Sequence, residues 1–100
     1  EIEMDNIGLR FTGLNSDSRT KFGIPKSVSG VVITGVKRDS FAAQAGLSVG
    51  SVILQISQQN VKKPDEVKKI LNNSIKKGTE SVLIQVFENN FSRFLILKLK

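Results

Sequence analysis

Apolar and polar positions along this chain follow two periods, and the switches between them mark its elements. Ile7, Leu9 and Phe11 alternate with Gly8, Arg10 and Thr12, the two-residue period of a strand with one buried face. Val31-Val32-Ile33 and Val36, following Gly30, predict a β-branched strand. Asp39-Ser40 then caps a short helix, Phe41 to Ala45, and Gly46 ends it as a left-handed glycine would. So short a helix holds only by packing, with Phe41, Ala45 and Leu47 as its expected anchors. Val52 to Ile56 reads as a strand, Ser57 to Asn60 as a turn, and Val61 as the start of a short return. Pro64 opens a longer helix, running to about Asn73, with Asp65 and Glu66 at the positive end of its dipole. Val67, Ile70, Leu71 and Ser74 recur three and four apart, one apolar stripe. Val82 to Phe87 and Phe91 or Ser92 to Leu99 are strands joined at Glu88-Asn89-Asn90, where paired asparagines accept the positive φ of a tight hairpin.

Two stretches carry no period. Glu1 to Asp5 is acidic and is expected to be a frayed lead-in. Gly13 to Ser29 is polar. Within it, Asn15-Ser16-Asp17-Ser18 reads as a turn or helix N-cap, and Arg19 to Phe22 as one helical turn stopped by Gly23 and Pro25. The order is strand, strand, short helix, strand, strand, longer helix, strand, strand. It predicts an α+β class: a partly open small barrel or sandwich of five to six strands with two helices, one domain over residues 1–100.

Composition narrows the chemistry. Apolar residues make up 39% of the chain, enough for one core. There is no cysteine and no histidine, which excludes disulfides, thiolate or imidazole metal sites and histidine-based catalytic triads. The serines have only lysines as possible bases and no Gly-Xaa-Ser-Xaa-Gly elbow. Asp65 and Glu66 are adjacent carboxylates, but the helix start explains them. No catalytic residue, metal ligand or cofactor is expected. No apolar run approaches the ~20 residues of a membrane helix, and no signal peptide stands in this stretch, so any export signal is expected to have been removed by processing or to lie outside it. The net charge is +6, with six lysines paired between Lys62 and Lys77. Without tryptophan or tyrosine for stacking, these read as a solvated helix face rather than a nucleic-acid site.

Binding chemistry is visible near the N-terminus. Ile7-Gly8-Leu9 is an apolar-Gly-apolar turn leading into a strand. Glycine lets consecutive backbone N–H groups point one way, a nest for an anion such as a carboxylate. The strand that follows offers an edge for another peptide. On its own the triplet also fits an ordinary strand entry with a bulge glycine.

The triplet has company. Gly30-Val31-Val32-Ile33-Thr34-Gly35-Val36, Asp39-Ser40-Phe41-Ala42-Ala43-Gln44-Ala45-Gly46-Leu47 and Val49-Gly50-Ser51-Val52-Ile53-Leu54 closely resemble the PDZ domains of the HtrA/Deg (Do-like) serine proteases. Leu9-Arg10-Phe11, Lys21-Phe22-Gly23-Ile24-Pro25, the Pro64–Leu71 helix and the closing hairpin also match, so the resemblance covers nearly the whole chain. Phe41 stands where the family usually has proline, Ser51 where it has aspartate, and Ser57-Gln58 where Asn-Gly is common. The protease domain with its Gly-Asn-Ser-Gly-Gly motif is absent, so the chain itself is expected to be non-catalytic.

The resemblance implies a PDZ-like fold with circularly permuted bacterial topology, the final strand Phe94–Leu99 taking the place of the usual first. It implies the C-terminal, second PDZ of a periplasmic protease. It makes Asn6-Ile7-Gly8-Leu9 the carboxylate-binding loop, with the N–H groups of Ile7, Gly8 and Leu9 holding a peptide terminus. Arg10, Phe11 and Thr12 would pair with that peptide as an added strand. Ile7, Leu9, Leu71 and Phe11 would line the pocket for an apolar last residue. On the helix, Pro64, Lys68 and Leu71 would face the groove, with Val67 and Ile70 toward the core; Lys68 would favour acidic side chains. The expected function is capture of C-terminal or exposed apolar segments of unfolded or cleaved chains. The alternative is assembly or regulation of the protease oligomer through its other domains and subunits. Neither a nucleic-acid partner nor membrane insertion is expected.

Overall fold

In the computed structural model, which describes residues 1–100, the alternating segments join in one open antiparallel sheet. The elements are β1 (Ile2–Met4), β2 (Leu9–Gly13), α1 (Ser16–Phe22), β3 (Val31–Val36), α2 (Phe41–Ala45), β4 (Val52–Ile56), β5 (Gln59–Asn60), α3 (Pro64–Lys76), β6 (Ser81–Glu88) and β7 (Phe91–Lys98). Strand order is β1-β2-β3-β4-β6-β7, with the two-residue β5 pairing β4. The fold is α+β, with seven strands rather than five to six and three helices rather than two.

Period two explains the core. Leu9 and Phe11 of β2, Val31 and Ile33 of β3, Ile53 of β4, Ile84 of β6 and Leu97 of β7 are buried in one cluster, which α3 closes with Val67 and Leu71. Each such side chain contributes roughly 1.5–3 kcal/mol by leaving water. Val32, on the opposite face of β3, joins Ile24 and Val52 in a smaller cluster beneath α1. On α3 the fully buried pair is Val67 and Leu71, while Ile70 is half-buried, so the stripe is turned from the expected Val67–Ile70 pairing.

The helix ends follow their capping residues. The Asn15 side chain accepts from the Ser18 N–H, and the Ser18 hydroxyl accepts from the Asn15 N–H. That reciprocal cap starts α1 at Ser16, three residues before the expected turn, and Gly23 ends it at φ +65°. Ser40 caps α2 through its hydroxyl, which accepts from the Ala43 N–H, and Gly46 closes it at φ +89°. At α3 one Glu66 oxygen accepts from the Lys62 and Lys63 N–H groups. Those two backbone donors hold the Glu66 pKa below the ordinary carboxylate value. Asn89 and Asn90 sit at φ +52° and +66°, the left-handed pair of a tight β6–β7 turn. Next to it, Glu88 accepts from the buried Ser51 hydroxyl and pairs with Arg93. The Ser51 hydrogen bond, aided by Arg93, lowers the Glu88 pKa.

One expectation is reversed at the N-terminus. The acidic lead-in is a strand, not a frayed end: β1 pairs antiparallel with β2, with Ile2 opposite Phe11, Glu3 opposite Arg10 and Met4 opposite Leu9. Local propensity for a strand is weak over three residues. The β2 edge and the flank of α3 supply what it lacks, since β1 contacts both.

Candidate peptide-binding groove

The site is built around the loop that turns β1 into β2. Gly8 takes φ +82°, a conformation that side chains other than glycine rarely adopt. Its carbonyl accepts from the Lys37 N–H at 2.8 Å, and the Ile7 carbonyl accepts from the Ala42 N–H at 3.0 Å. Both loop carbonyls are thus tied down toward α2 and the segment before it. Their amides are left for a different acceptor. The Ile7 N–H and Gly8 N–H donate to one oxygen, the Met4 carbonyl, at 3.2 and 2.8 Å. Two backbone donors converging on one oxygen is the geometry of an anion nest, here filled by a neutral carbonyl.

Leu9, the third residue of the expected carboxylate loop, lies in β2 between Met4 on one side and Val36 on the other. Arg10 and Phe11 are also paired on both sides, and Thr12 pairs with Val32 of β3. A register shift between Arg10 and Phe11 marks an irregularity in the β2–β3 ladder. Ile7, Leu9, Phe11 and Leu71 share the main core cluster, and Met4 is buried among them. Lys68 is exposed on α3. On the opposite face of β1 and β2, Glu3 and Arg10 form an ion pair at 3.2 Å, both half-exposed, which contributes about 0–1 kcal/mol. They border an open depression of about 310 Å³ that also includes Asp5 and Lys37.

Three residues at the site are unexpected there, Ser40 being expected only as the cap of the short helix. Ile2 and Met4 fill the apolar side of β1, and Ser40 forms the floor under Gly8. The signal for the first two is the parity of Ile2-Glu3-Met4, which matches Leu9-Arg10-Phe11 across the turn.

The PDZ domain family matches residues 32–79. A probable periplasmic DegP-like serine endoprotease of Chlamydia trachomatis serovar D is 32% identical over 95 residues, 95% of this chain and 18% of that protein. The DegP-like relative from Brucella suis is 40% identical over 68 residues, 68% of this chain and 13% of the relative. The chain therefore spans less than a fifth of the length of these curated relatives. Among solved structures, the HtrA3 PDZ domain bound to the phage-derived ligand FGRWV superposes with a TM-score of 0.72 at 16% identity, covering 92% of this chain and 81% of that one. The HtrA-type protease AlgW, solved with a decapeptide, gives 0.70 at 25% identity, covering 92% of this chain and 27% of that one.

Proposed function

We propose a peptide-binding role on one premise: this chain belongs to the PDZ domain family. The role is that of a non-catalytic module in a periplasmic DegP-like serine endoprotease, capturing apolar-ended segments of unfolded or cleaved chains by strand addition. One observation carries the reading. The Ile7 and Gly8 amides converge on a single oxygen at the end of a strand that runs antiparallel to β2. A peptide carboxylate seated there would receive the same two hydrogen bonds, strengthened by its charge. Leu9 would add the third amide. Arg10, Phe11 and Thr12 would form the ladder, so main-chain pairing supplies affinity and alternate side chains supply selectivity. The last peptide residue would sit among Ile7, Leu9, Phe11 and Leu71. Lys68, exposed on α3, would attract an acidic residue further along. The peptide-bound states of HtrA3 and AlgW are consistent with this role.

A second reading draws on a different observation. The groove already holds residues of the chain itself, which favours a regulatory or assembly role within the parent oligomer. The two separate in an amide-resolved NMR titration with an apolar-ended peptide, taken to millimolar excess as the free acid and as the C-terminal amide. Shifts at Ile7, Gly8 and Leu9 with the acid alone support carboxylate capture. No shift with either peptide favours assembly, and equal shifts point to strand pairing without carboxylate recognition.

A further inference from the structure

We propose that Ile2-Glu3-Met4 is an intramolecular ligand of the groove, displaced when a peptide binds, and that its side chains define the ligand class: apolar, acidic, apolar, ending at the amide nest. The proposal rests on the peptide-binding reading above and names what that site takes and what guards it.

Four features of β1 match those of a bound peptide. Its direction is that of a peptide whose terminus sits in the nest: β1 runs antiparallel to β2 and reaches the loop at Met4, opposite Leu9. Its last carbonyl takes both nest donors, the position a terminal carboxylate would hold. Its side chains alternate as a bound strand's do. Met4 is buried and Ile2 packs on the same cluster, while Glu3 turns outward to the Arg10 guanidinium. Finally, β1 touches α3 as well as β2, so it lies in the groove rather than merely along it. An edge guard would need only short length or charge. It would not need packing against α3.

The attachment is suited to exchange. β1 has three residues, Ile2 is only half-buried, and Glu1 and Glu3 are exposed. Segments with so few buried contacts open at low cost. Residues 5–8 tether it directly to β2, which gives an effective concentration on the order of millimolar. A free peptide then binds in proportion to the fraction of molecules with β1 released, and its apparent affinity falls by that fraction. A weakening of about ten-fold or more follows from these scales.

Calorimetric titration with a free-acid peptide ending Ile-Glu-Met tests this on three proteins. The first is the intact chain. The second carries Glu3→Cys with Arg10→Cys. These positions face each other across β1 and β2, and the chain has no other cysteine, so oxidation locks β1 in place. The third lacks residues 1–4. The expected result is binding at least ten-fold weaker to the oxidised pair than to the reduced pair, and at least ten-fold tighter to the shortened chain than to the intact one. Equal affinity for locked and unlocked proteins overturns the intramolecular ligand while leaving peptide binding in force. No binding to the reduced pair or to the folded shortened chain overturns peptide binding and the self-ligand with it. If the shortened chain does not fold, the redox comparison decides alone. Equal binding of a peptide ending Glu-Ile-Glu overturns the assigned ligand class.

Discussion

Gly8 stands so close to Ser40 that a Cβ on the glycine would lie 2.2 Å from the serine Cβ. The contact ties the β1–β2 loop to the N-cap of α2, and the hydrogen bonds from Lys37 and Ala42 to the loop carbonyls reinforce it. Gly8→Ala therefore meets two penalties: a left-handed backbone at about 1–2 kcal/mol and overpacking at about 1–3 kcal/mol. Urea denaturation is expected to show a loss of about 2–5 kcal/mol. Adding Ser40→Gly removes the steric part, so the double variant should be more stable than the sum of the two single losses predicts. Strict additivity would mean that the approach is not what demands glycine.

Leu71 and Lys68 sit three residues apart on α3 with opposite fates. Leu71 is fully buried, and Leu71→Ala is expected to cost about 2–5 kcal/mol in chemical denaturation. Lys68→Ala should change stability by no more than about 0.5 kcal/mol, because the side chain is exposed. If Lys68 faces the ligand, the same variant should lose the preference for acidic peptides over neutral ones. An unchanged preference removes it from the groove.

Acid stability should follow Glu88 and Glu66. Both have pKa values depressed in the folded state, Glu88 chiefly by the Ser51 hydroxyl and Glu66 by the Lys62 and Lys63 amides. A depressed pKa means that the ionised form favours folding. Its contribution is complete above the ordinary carboxylate range and is lost as pH falls below about 4.5 through the folded values. Thermal unfolding from pH 7 to pH 2.5 should show a falling Tm that Glu88→Gln flattens. At pH 7 that substitution should cost about 1 kcal/mol through its weakened hydrogen bonds to Ser51 and Arg93. An acid limb unaffected by Glu88→Gln and by Glu66→Gln alike would count against this assignment.

The β6–β7 turn is open to improvement. Asn90 lies at φ +66°, where glycine carries no Cβ strain, and Asn-Gly is the favoured pair for this turn. Asn90→Gly is expected to leave stability unchanged or raise it by up to about 1 kcal/mol, read as a higher urea midpoint. Asn89→Val, which puts a β-branched residue at φ +52°, should lower it.

Most of this architecture is legible where several local signals agree. Pro64 with Asp65 and Glu66, Gly46 after a short alanine-rich run, and Asn89-Asn90 between alternating strands each mark one boundary, and the chain turns or starts a helix there. Boundaries blur where a side chain can act in more than one way. Asn15 begins α1 earlier than the apolar pattern does, because its cap is polar and leaves no hydrophobic trace. The facing of α3 depends on a rotation that Val67, Ile70 and Leu71 together leave open, since any two of the three could point inward. At the site, Ile7-Gly8-Leu9 is legible as a candidate only beside the segments that carry the family resemblance, because alone it also fits a strand entry with a bulge glycine. The occupancy of the groove is not legible. Glu1 to Asp5 reads as an acidic, frayed lead-in because Glu1, Glu3 and Asp5 surround two apolar residues, whereas the strand Ile2–Met4 depends on pairing with β2 and packing on α3.

Because Met4 and Ile2 already fill the apolar side of the groove, peptide capture by this domain would be an exchange rather than an addition. One strand's buried surface would replace another's, so net dehydration would be small even though the new ladder is complete. A strand added to a vacant edge leaves a clear negative heat-capacity change. Here that change should be close to zero, and the Ile2–Met4 segment released into solvent would return conformational entropy that offsets the ordering of the peptide.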